Sequence, residues 1–156
     1  MTIHQAAYYG SLIADAFAMP VHWYYDRSAM DQDYPELDRY LPPCSHHPDS
    51  ILWRSEYTPL NEKGEILHDQ ARFWGQRGIH YHQNLRAGEN TVNFKLAQAL
   101  HHQVSLRGSY DPVDWIEKYI ELMRTPNWHN DTYLEEYHRA FFTRYAQGKS
   151  ILKCGI

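Results

Sequence analysis

The spacing of the apolar residues constrains the fold more than any other feature of this sequence. Apolar side chains recur every third or fourth position in four segments, 3–19, 91–104, 112–123 and 132–147, as in helices that bury one face. No segment sustains the alternation of polar and apolar residues that marks a half-buried strand. We therefore predict an all-α fold, a multi-helical bundle in which residues 1–156 form a single domain.

Local signals mark where these helices start and end. Pro20 ends the first helix, and Pro112 stands in the first turn of the third. Thr132 and Glu135 have the spacing of a capping box for the fourth. In the first helix, Asp15 lies off the stripe that is predicted to face the core. That stripe consists of Ala6, Tyr9, Gly10, Ile13 and Phe17.

The middle of the chain lacks a regular period. Residues 40–50, "YLPPCSHHPDS", contain three prolines and are predicted to be a loop. Residues 65–83, with two glycines and clustered aromatic residues, are predicted to be an ordered excursion over the surface. The apolar last residues, 151–156, either pack into the core or belong to the N-terminal part of a longer protein.

Composition and charge exclude several classes of protein. A net charge of −4 without a basic stripe argues against a nucleic-acid binder. No apolar run approaches the roughly 20 residues that a membrane helix needs. Cys44 and Cys154 have no metal-like spacing and are predicted to be reduced thiols. The N-terminus shows no signal peptide, and we predict a cytoplasmic protein.

Histidine and nucleophile patterns provide weaker candidates for a site. His80 and His82 are separated by one residue and could provide two zinc ligands on a strand, but nothing at a suitable spacing completes the set. We therefore favour structural or surface histidines. No Gly-x-Ser-x-Gly elbow is present, and Cys44 lies in a proline-rich loop without an evident activator.

The start of the second long helix carries three oxygen-bearing side chains, Glu89, Asn90 and Thr91. Asn90 or Thr91 would be an ordinary N-cap, and Glu89 would favour the positive end of the helix dipole. The alternative is a site for a hard cation, which needs oxygen ligands and a partner carboxylate. Asp15 is the best candidate for that partner, and capping and cation binding are compatible.

Two motifs resemble the ADP-ribosylglycohydrolase family, which includes dinitrogenase-reductase-activating glycohydrolases and lens crystallins. "GSLIADAFAMPVHW", residues 10–23, resembles the opening helix of the family, with Asp15 and Pro20 on the family's Asp and Pro. "GENTVNFKLAQAL", residues 88–100, falls on the family's metal-binding Thr-Asp-Asp-Thr segment. "DTYLEEYHRAFFTRYAQGKS", residues 131–150, is similar to a downstream helix.

The resemblance implies a fold, a reaction and a set of site residues. Family members are all-α, usually about twice this length, and use two Mg²⁺ ions to cleave a glycosidic bond to ADP-ribose. Glu89, Asn90 and Thr91 would contact the cation, Mg²⁺ or Mn²⁺. Asp15 would support the site from the first helix, and His22 would be an acid–base or supporting group. Adenine could stack on aromatic residues such as Trp23, Tyr24 or Trp74.

The metal motif departs from the family pattern. Gly88 replaces the first Thr, and Glu89 and Asn90 replace the two Asp, which removes one unit of negative charge. The family's second metal motif, Asp-x-Asp-Thr, has no counterpart. We therefore expect either a divergent hydrolase acting on ADP-ribose or an ADP-ribosylated substrate, or a non-catalytic relative that serves as a binding or structural protein.

Overall fold

Five α-helices build the fold of the computed structural model, which describes residues 1–155. The helices are α1 (Ile3–Ala18), α2 (Arg27–Asp33), α3 (Val92–Arg107), α4 (Pro112–Arg124) and α5 (Glu136–Ala146). Short 3₁₀ segments occur at Met19–Val21, Leu52–Arg54, Glu62–Gly64, His68–Phe73 and Ile151–Lys153. Residues 1–155 contain no strand, so the predicted all-α class is confirmed.

The predicted start of α4 is confirmed in detail. The Asp111 carboxylate accepts hydrogen bonds of 2.9 Å from the backbone N–H groups of Val113 and Asp114, and Pro112 occupies the first turn. This cap satisfies two N–H groups that have no partner inside the helix. None of the helices described in residues 1–155 combines the length and apolar character needed to cross a membrane.

The hydrophobic core lies between α3, α4 and α5. Its buried members are Ile66, Leu67, Val92, Leu96, Ile120, Met123, Leu134, Phe141, Phe142 and Cys154. Cys154 and the partly buried Ile151 bring the apolar last residues into this core, while Ile156 lies outside the described residues. The prediction that residues 65–83 run over the surface is wrong, because Ile66 and Leu67 fill the core and His80 and His82 are also buried.

The predicted core stripe of α1 is also wrong. Tyr9 and Ile13 are 54% and 55% exposed, whereas Asp15 is only 6% exposed. The helix docks through its last turns, where Asp15 and Ala16 are buried. Hydrogen bonds to a carboxylate, described below, orient this helix more strongly than its apolar stripe does.

The predicted capping box of α5 does not form. The helix begins at Glu136, and its N-cap residue, Glu135, makes no side-chain cap. Residues 132–133 are instead tied to another part of the chain, because the N–H groups of Thr132 and Tyr133 both donate to the carbonyl of Tyr81. These bonds tie the segment before α5 to Tyr81, and Glu135, which follows it, lines a pocket.

Candidate functional site

A pocket of about 420 Å³ forms where the C-terminal half of α1 meets the start of α3. Two non-helical segments, 22–23 and 131–135, and the single residue His82 complete its walls. Its polar lining residues are Ser11, Asp15, His22, His82, Thr91, Asn93, Asp131, Tyr133 and Glu135. The pocket therefore brings together ionisable groups from four separate parts of the chain.

Asp15 joins α1 to α3 inside this pocket. Its Oδ2 accepts hydrogen bonds of 2.9 Å from the Asn90 side-chain amide and from the Thr91 backbone N–H. Its Oδ1 accepts one of 2.8 Å from the Thr91 hydroxyl. Thr91 is the N-cap residue of α3, as predicted, but its hydroxyl bonds to Asp15 and not to the helix. The expected meeting of Asp15 with the helix start is therefore present, through Asn90 and Thr91.

Glu89 points away from Asp15. Its Oε2 accepts a hydrogen bond of 2.6 Å from the Arg86 backbone N–H, and its Oε1 lies 3.8 Å from the Lys95 ammonium. The Asn90 amide oxygen accepts from Gln98 at 2.9 Å. The side-chain oxygens of the three predicted metal ligands therefore already have partners within the protein. These ligands are Glu89, Asn90 and Thr91.

This arrangement does not fit Mg²⁺, which requires several oxygen atoms in a near-octahedral array. Across residues 1–155, no three His, Cys, Asp or Glu side chains converge in a way that could hold a metal ion. Binding of Mg²⁺ or Mn²⁺ by Glu89, Asn90 and Thr91 stays a prediction, and it would require these side chains to exchange their present partners.

Two histidines and a carboxylate form a hydrogen-bonded chain at the pocket. Nδ1 of His82 lies 2.8 Å from Oδ1 of Asp131, and Nε2 of His82 lies 3.0 Å from Nδ1 of His22. Asp131 is fully buried and His82 is 2% exposed, while His22 is half-buried. The chain therefore leads from a buried carboxylate to a group on the pocket wall. We call these three residues the histidine relay.

When both rings of the relay are neutral, the hydrogen bonds define one tautomer for each. The Asp131 carboxylate then accepts from Nδ1 of His82, and Nε2 of His82 accepts from Nδ1 of His22. Nε2 of His22 is then left with a lone pair. Burial, followed by the nearby His82, lowers the pKa of His22 to about 4. His22 is therefore a neutral base at pH 7, available to take a proton.

Two carboxylate oxygens in the pocket lining are buried without a hydrogen-bond partner among the described residues, Oδ2 of Asp131 and Oε2 of Glu135. Burial raises the pKa of Glu135, with a further contribution from Asp131. A carboxyl group with a raised pKa keeps its proton to a higher pH than an ordinary glutamate and can donate it. Glu135 thus has the properties of a general acid.

Asn93 holds Glu135 in place. Its Nδ2 donates to Oε1 of Glu135 at 2.8 Å, and its Oδ1 accepts from Nε2 of His138 at 3.1 Å. Burial lowers the pKa of His138 to about 3, so this ring is neutral and its Nδ1 accepts from the Tyr119 hydroxyl at 2.6 Å. The 3.8 Å separation of His138 from Oε2 of Glu135 is therefore a contact and not an ion pair.

Trp23 forms an aromatic wall and carries a strained backbone. Its φ of +61° lies in the left-handed region, which costs about 1–3 kcal/mol for a non-glycine residue. Its ring stacks on His82 with centroids 5.6 Å apart. The other predicted stacking residues, Tyr24 and Trp74, do not line this pocket. Trp74 stacks on Tyr133, and the Tyr24 hydroxyl donates to Asp33.

The alternative zinc site at His80 and His82 finds no support in these contacts. Nε2 of His80 lies 2.9 Å from the carbonyl of Pro20, and Nδ1 of His80 accepts from the backbone N–H of His82. Both nitrogens of the His82 ring bond within the relay. The favoured prediction of structural histidines agrees with this geometry.

Sequence reasoning missed three pocket residues, His82, Asp131 and Glu135. The sequence pattern places Glu135 in a capping box and Asp131 at the start of the segment that resembles a downstream helix, so neither stands out as a site residue. His82 stands out only as a possible zinc ligand, and for it the pattern favours a structural or surface role. The usable signal was the excess of histidine, 11 residues in 156, because buried histidines require hydrogen-bond partners.

Comparison with known proteins found no matching family model, no similar curated protein and no similar solved structure. The relation to the ADP-ribosylglycohydrolases therefore stays a resemblance carried mainly by two motifs, residues 10–23 and 88–100.

Proposed function

We propose that this chain is a divergent hydrolase of the ADP-ribosylglycohydrolase type, which cleaves an N- or O-glycosidic bond to ADP-ribose in the pocket. The observation that carries the proposal is the histidine relay, which opens into the same hollow as the buried carboxyl group of Glu135. A base and an acid in one cavity are what glycoside hydrolysis requires. The choice of ADP-ribose rests on the resemblance.

In this proposal His22 activates a water molecule. Nε2 of His22 takes a proton from the water as Nδ1 of His22 passes its own proton to Nε2 of His82. The positive charge then resides on His82, next to the Asp131 carboxylate, which stabilises it. The low pKa of His22 does not prevent this step, because His22 does not keep the charge.

Glu135 supplies the acid. The water oxygen forms a bond to the anomeric carbon while the bond from that carbon to the leaving oxygen or nitrogen breaks. The leaving atom takes the proton from Glu135, so the products are free sugar and protonated leaving group. The relay then holds the proton taken from the water and Glu135 is left as a carboxylate, and proton exchange with solvent restores both groups. Asp15 acts here as a positioning residue, because its oxygens are occupied by Asn90 and Thr91.

The proposal is tested by incubating the protein with an N-glycoside and an O-glycoside of ADP-ribose and measuring release of ADP-ribose by chromatography. We expect release by the wild-type chain, and about 10²–10⁴-fold slower release by His22→Gln, the range typical of an acid–base group. The exposed His102 provides the matched control, His102→Gln. Equal rates for both variants would contradict the proposed role of His22.

The same assay tests the predicted cation. If His22 and Glu135 carry the reaction without a metal ion, ADP-ribose is still released in excess chelator. Stimulation by Mg²⁺ or Mn²⁺ that is lost in Asn90→Ala would support the metal-assisted form of the reaction and the metal ligands predicted from the motif.

A second candidate is a non-catalytic relative that binds ADP-ribose or serves as a structural protein. The saturation of Asp15 by hydrogen bonds favours this candidate, because that carboxylate then ties two helices together and contacts no substrate. Calorimetry separates the two. Binding of ADP-ribose without turnover would indicate the binding protein, and neither binding nor turnover would leave the structural role.

A further inference from the structure

Two buried histidines outside the relay contact the turn that carries His22 and Trp23. Nε2 of His80 lies 2.9 Å from the carbonyl oxygen of Pro20, and Nε2 of His47 lies 2.9 Å from the carbonyl oxygen of His22. Both histidines are fully buried. Apolar side chains could fill the same space, so these two polar rings call for a specific explanation.

The other ring nitrogen settles which tautomer each histidine has. The backbone N–H of Asp49 donates to Nδ1 of His47 at 3.2 Å, and the backbone N–H of His82 donates to Nδ1 of His80 at 3.0 Å. A nitrogen that accepts a hydrogen bond carries no proton. Both rings are therefore neutral with the proton on Nε2, and both donate to a carbonyl of the turn.

The turn needs such support because its backbone is unusual. It continues from α1 through the 3₁₀ segment Met19–Val21 and reaches Trp23, whose φ is +61° although it is not glycine. His80 and His47 hold the carbonyls of residues 20 and 22, on either side of Val21. The rings of His47 and His80 also pack edge to face, with centroids 5.0 Å apart.

We propose that His47 and His80 are positioning residues that hold the turn in the conformation in which His22 bonds to His82. This inference rests on the proposed function for its catalytic consequence only, because the positioning itself has a readout that does not depend on turnover. His80 has a particular place in the arrangement, since its Nδ1 also fixes the backbone of His82, the next member of the relay. One ring thus orients both histidines of the relay.

The first measurement is the tautomeric state by ¹⁵N NMR of the histidine rings in the whole chain. We expect His47 and His80 to be protonated at Nε2 only, and His22 at Nδ1. A proton on Nδ1 of His47 or His80 would overturn the proposal whether or not the protein is an enzyme.

The second measurement compares substitutions at the two positions. The glutamine side-chain amide can donate from nearly the same place as Nε2, whereas leucine fills space without a donor. We expect His47→Leu and His80→Leu to shift the His22 ring signals and to lower turnover at least about tenfold, as misplacement of a reacting group does. His47→Gln and His80→Gln should recover most of the loss, and the surface variant His102→Leu should change neither signal nor rate.

The outcomes separate the two hypotheses. If wild-type protein has no turnover but leucine shifts the His22 signals and glutamine restores them, the positioning role stands and the hydrolase proposal fails. If leucine leaves the His22 signals unchanged, or glutamine fails to restore them in a folded protein, the positioning role is wrong. If a leucine variant fails to fold, the tautomeric states and the glutamine variants still test the positioning role.

Discussion

The side chain of Asp15 accepts hydrogen bonds from both the backbone N–H and the hydroxyl of Thr91, at 2.9 and 2.8 Å. These bonds connect the end of α1 to the first turn of α3, which are 76 residues apart in the sequence. The contact is buried, so neither residue has water as an alternative partner. Asp15 therefore both closes one side of the pocket and fixes the position of α1.

Replacing Asp15 by Ala should destabilise the protein by about 2–4 kcal/mol, because it leaves the buried hydrogen-bond donors of Asn90 and Thr91 unpaired. Urea unfolding measures the difference in the free energy of unfolding. The matched control is Asp31→Ala, since the side chain of Asp31 is 61% exposed and bonds only to an exposed arginine. The free energy of unfolding of Asp31→Ala should differ from that of wild type by less than about 0.5 kcal/mol. Similar decreases in the free energy of unfolding for Asp15→Ala and Asp31→Ala would contradict a structural role for Asp15.

Replacing Asp131 by Asn should lower the turnover of the proposed hydrolase by about 10³-fold, with little effect on KM. An amide can donate to Nδ1 of His82 and so favour the wrong tautomer of that ring, as in other carboxylate–histidine pairs. Steady-state kinetics provides the measurement, and Glu36→Gln on the surface is the control. An unchanged turnover in Asp131→Asn would exclude the relay as the source of the base.

The free energy of unfolding should fall steeply as the pH drops below about 6.5. Burial lowers the pKa of His80 and of His138 to about 3, against 6.5 for a free histidine. Between these values the unfolded chain binds protons that the native state does not, so stability is complete above pH 6.5 and is lost as the pH falls. These two groups alone contribute a slope of about 2.7 kcal/mol per pH unit near pH 5, and His22, whose pKa burial lowers to about 4, adds to it.

Urea unfolding at a series of pH values between 5 and 7 measures this slope. His102→Gln should leave the slope unchanged, because His102 is exposed in the native state. His80→Gln should reduce the slope by about 1.4 kcal/mol per pH unit, the contribution of one titrating group. Equal stability at pH 5 and pH 7 would show that these histidines are not buried as neutral rings.

Glu135→Gln should stabilise the protein relative to wild type, and more so at pH 8 than at pH 5. Burial raises the pKa of Glu135 above its ordinary 4.5, so the native state keeps a proton that the unfolded chain releases. Wild-type stability is therefore lost as the pH rises through the native pKa of Glu135, whereas glutamine does not titrate. At pH 8 the free energy of unfolding of Glu135→Gln should exceed that of wild type by about 1–3 kcal/mol, the penalty for a buried polar group that lacks a partner.

Thermal or urea unfolding of the two proteins at pH 5 and pH 8 provides the comparison. Glu36→Gln, on an exposed residue, should show no pH-dependent difference from wild type. A Glu135→Gln variant that becomes relatively less stable at pH 8 would mean that the carboxylate of Glu135 has a favourable partner.

The sequence was sufficient to predict the parts of the fold that depend on local patterns. Helical spacing identified the main helices, and the Asp111 and Pro112 pair gave the start of α4. The meeting of Asp15 with Asn90 and Thr91 could also be predicted, because the two segments that resemble ADP-ribosylglycohydrolase motifs, residues 10–23 and 88–100, contain these residues. These features depend on residues a few positions apart or on short motifs that resemble those of a known family.

The remaining pocket residues could not be predicted in this way. His82 lies in a segment without a period, and its position is set by hydrogen bonds to His22 and Asp131 that join distant parts of the chain. The predicted orientation of α1 was wrong for a related reason. Three hydrogen bonds to one buried carboxylate outweighed a stripe of apolar side chains. Pattern analysis weighs apolar side chains and does not detect such a contact.

The relay also has a consequence for how the pocket comes into being. His22 and His82 are 60 positions apart, and His82 and Asp131 are 49 apart. Bringing such distant residues together closes large loops, which slows folding more than forming a helix does. During synthesis the residues of α1, α3 and α4 all leave the ribosome before Asp131. The relay therefore cannot form until Asp131 has emerged, and His22 reaches its final orientation only at a late stage of folding.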